Sequence, residues 1–346
     1  MDGLKKRDDA LDAVKGFAIL IVMLGHCIVL NNLADPYFYD AIVAIQMPLF
    51  MAVSGFTAGR RPLELYEKPD LKKRLSTFLR RTTAYLVPFF IWLWLTHLTN
   101  PFAELKLQLF ALDRGLWFLM TLWIVTLVTM TGSFVADYAA WKFGKSTMIK
   151  GVLRFVVFGM VTGVCYIGFV LQGRSGNTFL SPSLTVKYLP FYVAGYLWAL
   201  YVSAFIKRYK TICNLLCIVS LCAFVYLIAA FDMIAVMGTV DLLVQMSASF
   251  LGVYLCFYVI YHFAAGRPKK LLAFIGQYTL EIYALHFRFA RLLGFGDKGL
   301  KLYSPEAIGW VIAAFAVMSL LTAACIFLIK KVKVLDFLLF GKNHFL

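Results

Sequence analysis

Few ionisable side chains interrupt the apolar runs of this chain, and those few define the chemistry open to it. Lys15 and His26 fall in the first run, and Glu281 and His286 in a run near the end. A charge at membrane depth is costly to keep, so such a residue is a functional candidate by default. The spacing from Lys15 to His26 turns a helix through about 1100°, within about 20° of eclipsed, so both face one side about 16 Å apart. Asp12, one turn before Lys15, is spaced to pair with it. Histidine is the side chain suited to exchanging a proton near neutral pH. In a water-poor cavity His26 can activate a hydroxyl or carry a proton; as a satisfied polar group it can equally serve helix packing. Glu281 and His286 are spaced to face different sides of their helix, with His286 at a depth similar to His26. Arg288 and Arg291 follow near a surface, where they can snorkel. His97 and His262 end their runs and read as interfacial residues, and His344 lies in the tail.

No phosphate loop, dinucleotide fingerprint, HExxH helix or Gly-x-Ser-x-Gly elbow occurs. The seven Cys all lie in apolar stretches. Cys213 and Cys217 share a helix face, but no His or carboxylate nearby completes a ligand set, so no metal is expected. They read as small apolar core residues. The residues alone support a membrane enzyme or a transporter with a His-lined cavity.

The elements that must position these groups are membrane spans. Of 346 residues 62% are hydrophobic and 15% charged, against about 45–50% and about 25% for a soluble domain. The pattern predicts an all-α polytopic bundle of about ten spans, near 13–31, 39–58, 82–99, 115–133, 149–171, 186–206, 211–231, 240–263, 271–291 and 307–329. These runs fill the chain as a single integral membrane domain, residues 1–346. Lys5, Lys6 and Arg7 precede the first run without a small-residue cleavage site, which reads as an uncleaved span. The net charge of +16 collects in alternate loops, above all the 60–81 segment and the segments around 142–150, 207–210, 267–270 and 330–342. The positive-inside rule then places both termini in the cytoplasm and explains the charge without nucleic acid. The stretch DLKKRLSTFLRR reads as an amphipathic helix running into the third span. It suits an anionic lipid surface or a polyanionic substrate.

Several segments look like one known family. RDDALDAVKGFAILIVMLGH, QMPLFMAVSGF, RRTTAYLVPFF followed by LWFLMTLW, YLPFYVAGYL and IGQYTLEIYALHF occur in order from residue 7 to 287. In type, order and spacing they resemble the acyltransferase family 3 membrane proteins, which O-acylate bacterial surface polysaccharides. The resemblance implies transfer of an acyl group, usually acetyl, from acyl-CoA to a hydroxyl of an envelope sugar or exopolysaccharide. It also implies a multi-pass protein of the bacterial cytoplasmic membrane whose partners are lipid, acyl-CoA and a sugar acceptor. It places His26 in the catalytic centre and matches His286 to the family's final His, with Glu281 beside it. Lys15 stands where many members have Arg, and Arg74, Arg80 and Arg81 lie in the stretch associated with CoA. Asp12, Gln46 and Trp117 fall in supporting positions. Gln46 departs from the pattern, since many members carry His there, and Gln cannot accept a proton at neutral pH. That departure leaves room for an inactive relative. A proton-coupled transporter or flippase working through His26 and Glu281 is the other reading of the same buried groups.

Overall fold

The structure is a computed structural model that describes residues 8–35, 37–60, 68–111, 116–202, 206, 208–235, 238–293, 300–301 and 303–342. Lys5, Lys6, Arg7, Arg61, Arg114, Lys207, Lys298 and His344 lie outside these residues, as does the side chain of Arg291. Among the described residues the regular structure is helical throughout. Seven helices are long and apolar enough to cross a membrane. The chain divides into two compact units, Met1–Gly59 with Ala194–Ile329, and Arg60–Val193 with Lys330–Leu346.

In the first unit, α1 (Asp9–Val29) starts on Asp8, whose Oδ1 accepts the backbone N–H groups of Ala10 and Leu11. That cap satisfies donors a helix start leaves open, and Asp9 and Asp12 in the first turn suit the positive end of the helix dipole. α2 (Phe38–Gly59) carries Pro48 in its interior, which removes one intrahelical hydrogen bond two residues after Gln46. The second unit contains α3 (Leu71–Thr96), α4 (Pro101–Phe110), α5 (Trp117–Phe143), α6 (Thr147–Arg174) and most of α7 (Pro182–Leu197). Asp70 caps α3 by accepting from Lys72 and Lys73, and the helix continues unbroken through the third expected span, as the amphipathic reading of residues 70–81 anticipates. Leu71, Leu75 and Leu79 form an exposed stripe along it. α6 exposes Val152, Phe155, Met160, Val164, Ile167 and Leu171, the outward apolar surface expected of a helix solvated by lipid.

A π-helical turn, Trp198–Val202, follows α7. Then come α8 (Lys210–Ala230), α9 (Thr239–Phe263), α10 (Gly266–Gly276), α11 (Thr279–Leu293), α12 (Pro305–Lys330) and α13 (Lys333–Phe340). One expectation changes here. The ninth span, drawn as 271–291, is two helices: α10 stops at Gly276 and α11 begins at Thr279. The break adjoins a close approach in the first unit. A Cβ on Gly276 would lie 1.8 Å from the carbonyl oxygen of Asp12, and one on Gly16 would lie 2.0 Å from that of Leu272. Two glycines thus let α1 and α10 touch backbone to backbone, and the chain turns at Gln277 and Tyr278 before α11 sets off. Met23 and Cys27 of α1 then pack with Ala290 of α11 and with Ala314 and Met318 of α12. Those contacts hold the far half of α1 against α11.

Candidate active site

α1 presents Lys15 and His26, both half-buried, as their spacing requires. The Lys15 ammonium bonds Asp12 Oδ1 at 3.2 Å, the pairing expected from sequence. Around it Asp8 accepts a hydrogen bond from the Tyr261 hydroxyl of α9 at 2.9 Å. The start of α1 is therefore tied to a second helix through its own cap.

At the other end of α1 the His26 ring lies 5.2 Å, centroid to centroid and tilted by 34°, from the ring of His286 on α11. It also meets the ring of Phe287 at 4.8 Å with its plane turned by 63°. His286 is 1% exposed, and its Nδ1 lies 2.8 Å from the carbonyl oxygen of Ile282. A carbonyl only accepts, so Nδ1 carries the proton there and Nε2 of the neutral ring keeps a lone pair. That Nε2 is buried and has no hydrogen-bond partner among the described residues. The pair therefore consists of a half-buried imidazole beside a buried one whose tautomer is fixed by its own helix. The rings are close neighbours, with no hydrogen bond between His26 and His286 Nε2. In such a pair the half-buried ring can accept a proton while the open lone pair of the buried ring lies nearby.

Gln46 of α2 joins this neighbourhood. A Cβ on Gly25 would lie 3.1 Å from Gln46 Oε1 and 3.0 Å from Ile42 Cγ2, so the carboxamide sits against the backbone next to His26. Glu281 is fully buried in the first turn of α11, where the helix dipole favours an acidic side chain. Although Glu281 and His286 are spaced to face different sides, both are buried, because α11 is enclosed on more than one side.

In the second unit the three expected CoA arginines do not form one patch. Arg74 and Arg81, seven residues apart, share a face of α3; Arg80 points about 100° away and is exposed. Arg74 Nη1 donates to Ser133 Oγ at 3.1 Å, and Nη2 pairs with Asp137 Oδ2 on α5. The second oxygen, Asp137 Oδ1, accepts from Arg154 Nε of α6 at 2.8 Å. One carboxylate thus holds two guanidinium groups, a cluster that leaves a positive charge in excess. Sequence reading missed Asp137 and Arg154. The signal was Arg154, a charge within the expected fifth span, and Asp137, which fell just beyond the fourth span as drawn while α5 runs on to Phe143. Trp117, the first residue of α5, stacks on Tyr188 of α7 at 5.7 Å, and the Lys187 ammonium lies 5.8 Å from the same Tyr188 ring.

His97 caps the end of α3 and approaches Glu104 at 3.8 Å; His262 packs against the rings of Tyr258 and Tyr261 at the end of α9. The cysteines carry free thiols.

A family model described as an acyltransferase domain matches residues 8–330. Nodulation protein NolL of Sinorhizobium fredii (strain NBRC 101917 / NGR234) is 44% identical over 64 residues, covering 16% of this chain and 17% of NolL. The alignment thus spans only a small part of that relative's length. No solved structure matches the chain.

Proposed function

This chain belongs to the acyltransferase family 3 of multi-pass membrane proteins and so is an acyltransferase, and we propose that it moves an acetyl group from cytoplasmic acetyl-CoA to a hydroxyl of a cell-envelope sugar. The observation that carries the reading is the His26–His286 pair: a half-buried imidazole beside a buried ring with an open lone pair. In the proposed step the sugar hydroxyl attacks the thioester carbonyl while His26 takes its proton. The bond to sulfur breaks, the thiolate of CoA leaves, and the proton returns to it, giving an O-acetyl sugar and free CoA. General-base help of this kind is worth about 10²–10⁴-fold. His286 Nε2 steadies the imidazolium that forms, and Gln46 contributes a hydrogen bond where a titrating group would otherwise stand. Lys15, paired with Asp12, lies near the thioester's entrance. Arg81, together with the positive charge left in excess by the Arg74–Asp137–Arg154 cluster, supplies the cationic face for the phosphates of CoA. The bacterial inner membrane is the setting in which cytoplasmic thioester and outward-facing glycan meet across one bilayer.

Purified protein supplied with labelled acetyl-CoA and an envelope glycan extract tests the proposal. Label in the glycan fraction supports it, and label that stays in CoA despite well-folded protein refutes it. The transporter reading draws on one observation, the interrupted helix at Gln277 and Tyr278. Thermal stabilisation by CoA separates the two, because a carrier of unrelated solutes gains nothing from it.

A further inference from the structure

Away from the histidine pair, Asp35 just before α2, Asp40 in the first turn of α2 and Gln245 in α9 carry buried oxygen atoms that lack donors. Asp35, Asp40 and Gln245 are 5%, 1% and 4% exposed. Asp35 Oδ1 accepts the backbone N–H of Tyr39, and Asp40 Oδ2 accepts that of Met233 at 2.9 Å. The Gln245 carboxamide donates through Nε2 to the carbonyl of the same Met233. Asp40 and Gln245 therefore bracket one residue from its two backbone sides. Each side chain then has one oxygen left over: Asp35 Oδ2, Asp40 Oδ1 and Gln245 Oε1 are buried with no hydrogen-bond partner among the described residues. All three are acceptors, because the amide nitrogen of Gln245 is already committed to Met233. No basic side chain among the described residues pairs with Asp35 or Asp40. The charges whose fields reach Asp40 are those of Asp232 and Asp35, which add to its own. Asp232 is exposed and stays ionised, its carboxyl held below the usual range by the N–H groups of Ala235 and Ile234.

Buried acceptors with no donor, two of them carboxylates, call for a cation. We propose that Asp35 Oδ2, Asp40 Oδ1 and Gln245 Oε1 bind a hard divalent cation, Ca²⁺, which ties the segment following the His26 helix and the start of α2 to α9. Ca²⁺ takes six to eight oxygen ligands in irregular geometry, and carboxylates, Gln carbonyls and water are all accepted. Mg²⁺ demands a near-ideal octahedron and suits ligands drawn from separate segments less well. Two carboxylates balance the charge of one such ion, and the carboxamide adds a neutral ligand. Because no group of three His, Cys, Asp or Glu side chains converges among the described residues, the affinity belongs in the weak class, about 10⁻⁴–10⁻³ M. The linear sequence hides such a site, since its ligands lie on segments some two hundred residues apart.

The test uses the full chain in detergent, stripped with EGTA. Adding Ca²⁺ to about ten times its dissociation constant is expected to raise the unfolding temperature by about 2 °C, with no such rise from Na⁺ at the same ionic strength. Tb³⁺ luminescence, sensitised through neighbouring Tyr39, is expected to appear and to be displaced by Ca²⁺. Asp40→Asn and Gln245→Leu are expected to abolish both responses. Should either variant fail to fold, Tb³⁺ binding and its displacement on the native chain still decide. Absence of both signals on the native chain overturns the proposal. So does stabilisation by acid without any response to Ca²⁺, which would put a proton between Asp40 and Gln245, and so does a response to Na⁺ alone.

Discussion

The glycine contact between α1 and α10 makes a quantitative demand on the His26–His286 pair. Substituting Gly276→Ala puts a methyl 1.8 Å from the Asp12 carbonyl oxygen, where ordinary contact begins at 3.4 Å. The helices must therefore separate locally by about 1.6 Å, since the obstructing atoms are backbone and no rotamer can relieve them. Overpacking of this kind costs about 1–3 kcal/mol, and a rigid obstruction belongs at the upper end. The shift also travels. α10 is joined to α11 by two residues, and α11 carries His286, so displacement of α10 moves the buried ring relative to His26. Misplacing a catalytic group by about 1 Å costs about 10²-fold in turnover. Thermal unfolding and acetyl transfer, measured on one detergent preparation, read both effects. Gly309→Ala is the control: a Cβ there meets nothing within 4 Å, so stability is expected to hold or rise by about 0.5–1 kcal/mol and turnover to stay unchanged. If Gly276→Ala behaves like Gly309→Ala, the close approach does not position the site and the reasoning fails.

Two further outcomes follow from the second unit. Asp137→Asn leaves Arg74 and Arg154 without their shared counter-charge, which for a mostly buried pair costs about 3 kcal/mol, the low end of the range because the Arg74 side chain keeps 28% of its exposure; chemical denaturation checks this, and a stability within error of native would remove the network's structural role. Arg81→Ala, losing a charge-assisted contact of about 1.5 kcal/mol or more, is expected to raise the KM for acetyl-CoA about tenfold, while the outward-pointing Arg80 is expected to change it little when replaced by Ala; equal effects at the two positions would argue against a CoA face formed by Arg81 and the Arg74 cluster.

Local geometry was the legible part of the sequence. The Asp12–Lys15 pair follows from one turn of helix, and the shared face of Lys15 and His26 from eleven residues of it. The basic start of α3 follows from its apolar and charged periodicity. Each depends on spacing within a single helix, which sequence records directly. What sequence concealed depends on helices meeting. The span expected at 271–291 is interrupted next to the point where Gly16 and Gly276 bring two backbones together, and an isolated glycine in an apolar run does not announce its partner. Asp137 and Arg154 find each other only once α5 is known to run on to Phe143. Gln46 was placed by resemblance, but its contact with the backbone at Gly25 needed the packing of α2 on α1. The division of the three arginines was legible and simply not extracted: adjacent residues on a helix cannot share a face, so Arg80 and Arg81 were bound to diverge.

The most direct test of the catalytic assignment is single-turnover acetyl transfer by His26→Ala, with thermal unfolding run alongside to verify its fold. Loss of about 10²–10⁴-fold in rate at unchanged stability is the predicted result. Transfer at the native rate by a folded His26→Ala protein would contradict the account, since no other half-buried imidazole has been placed beside His286.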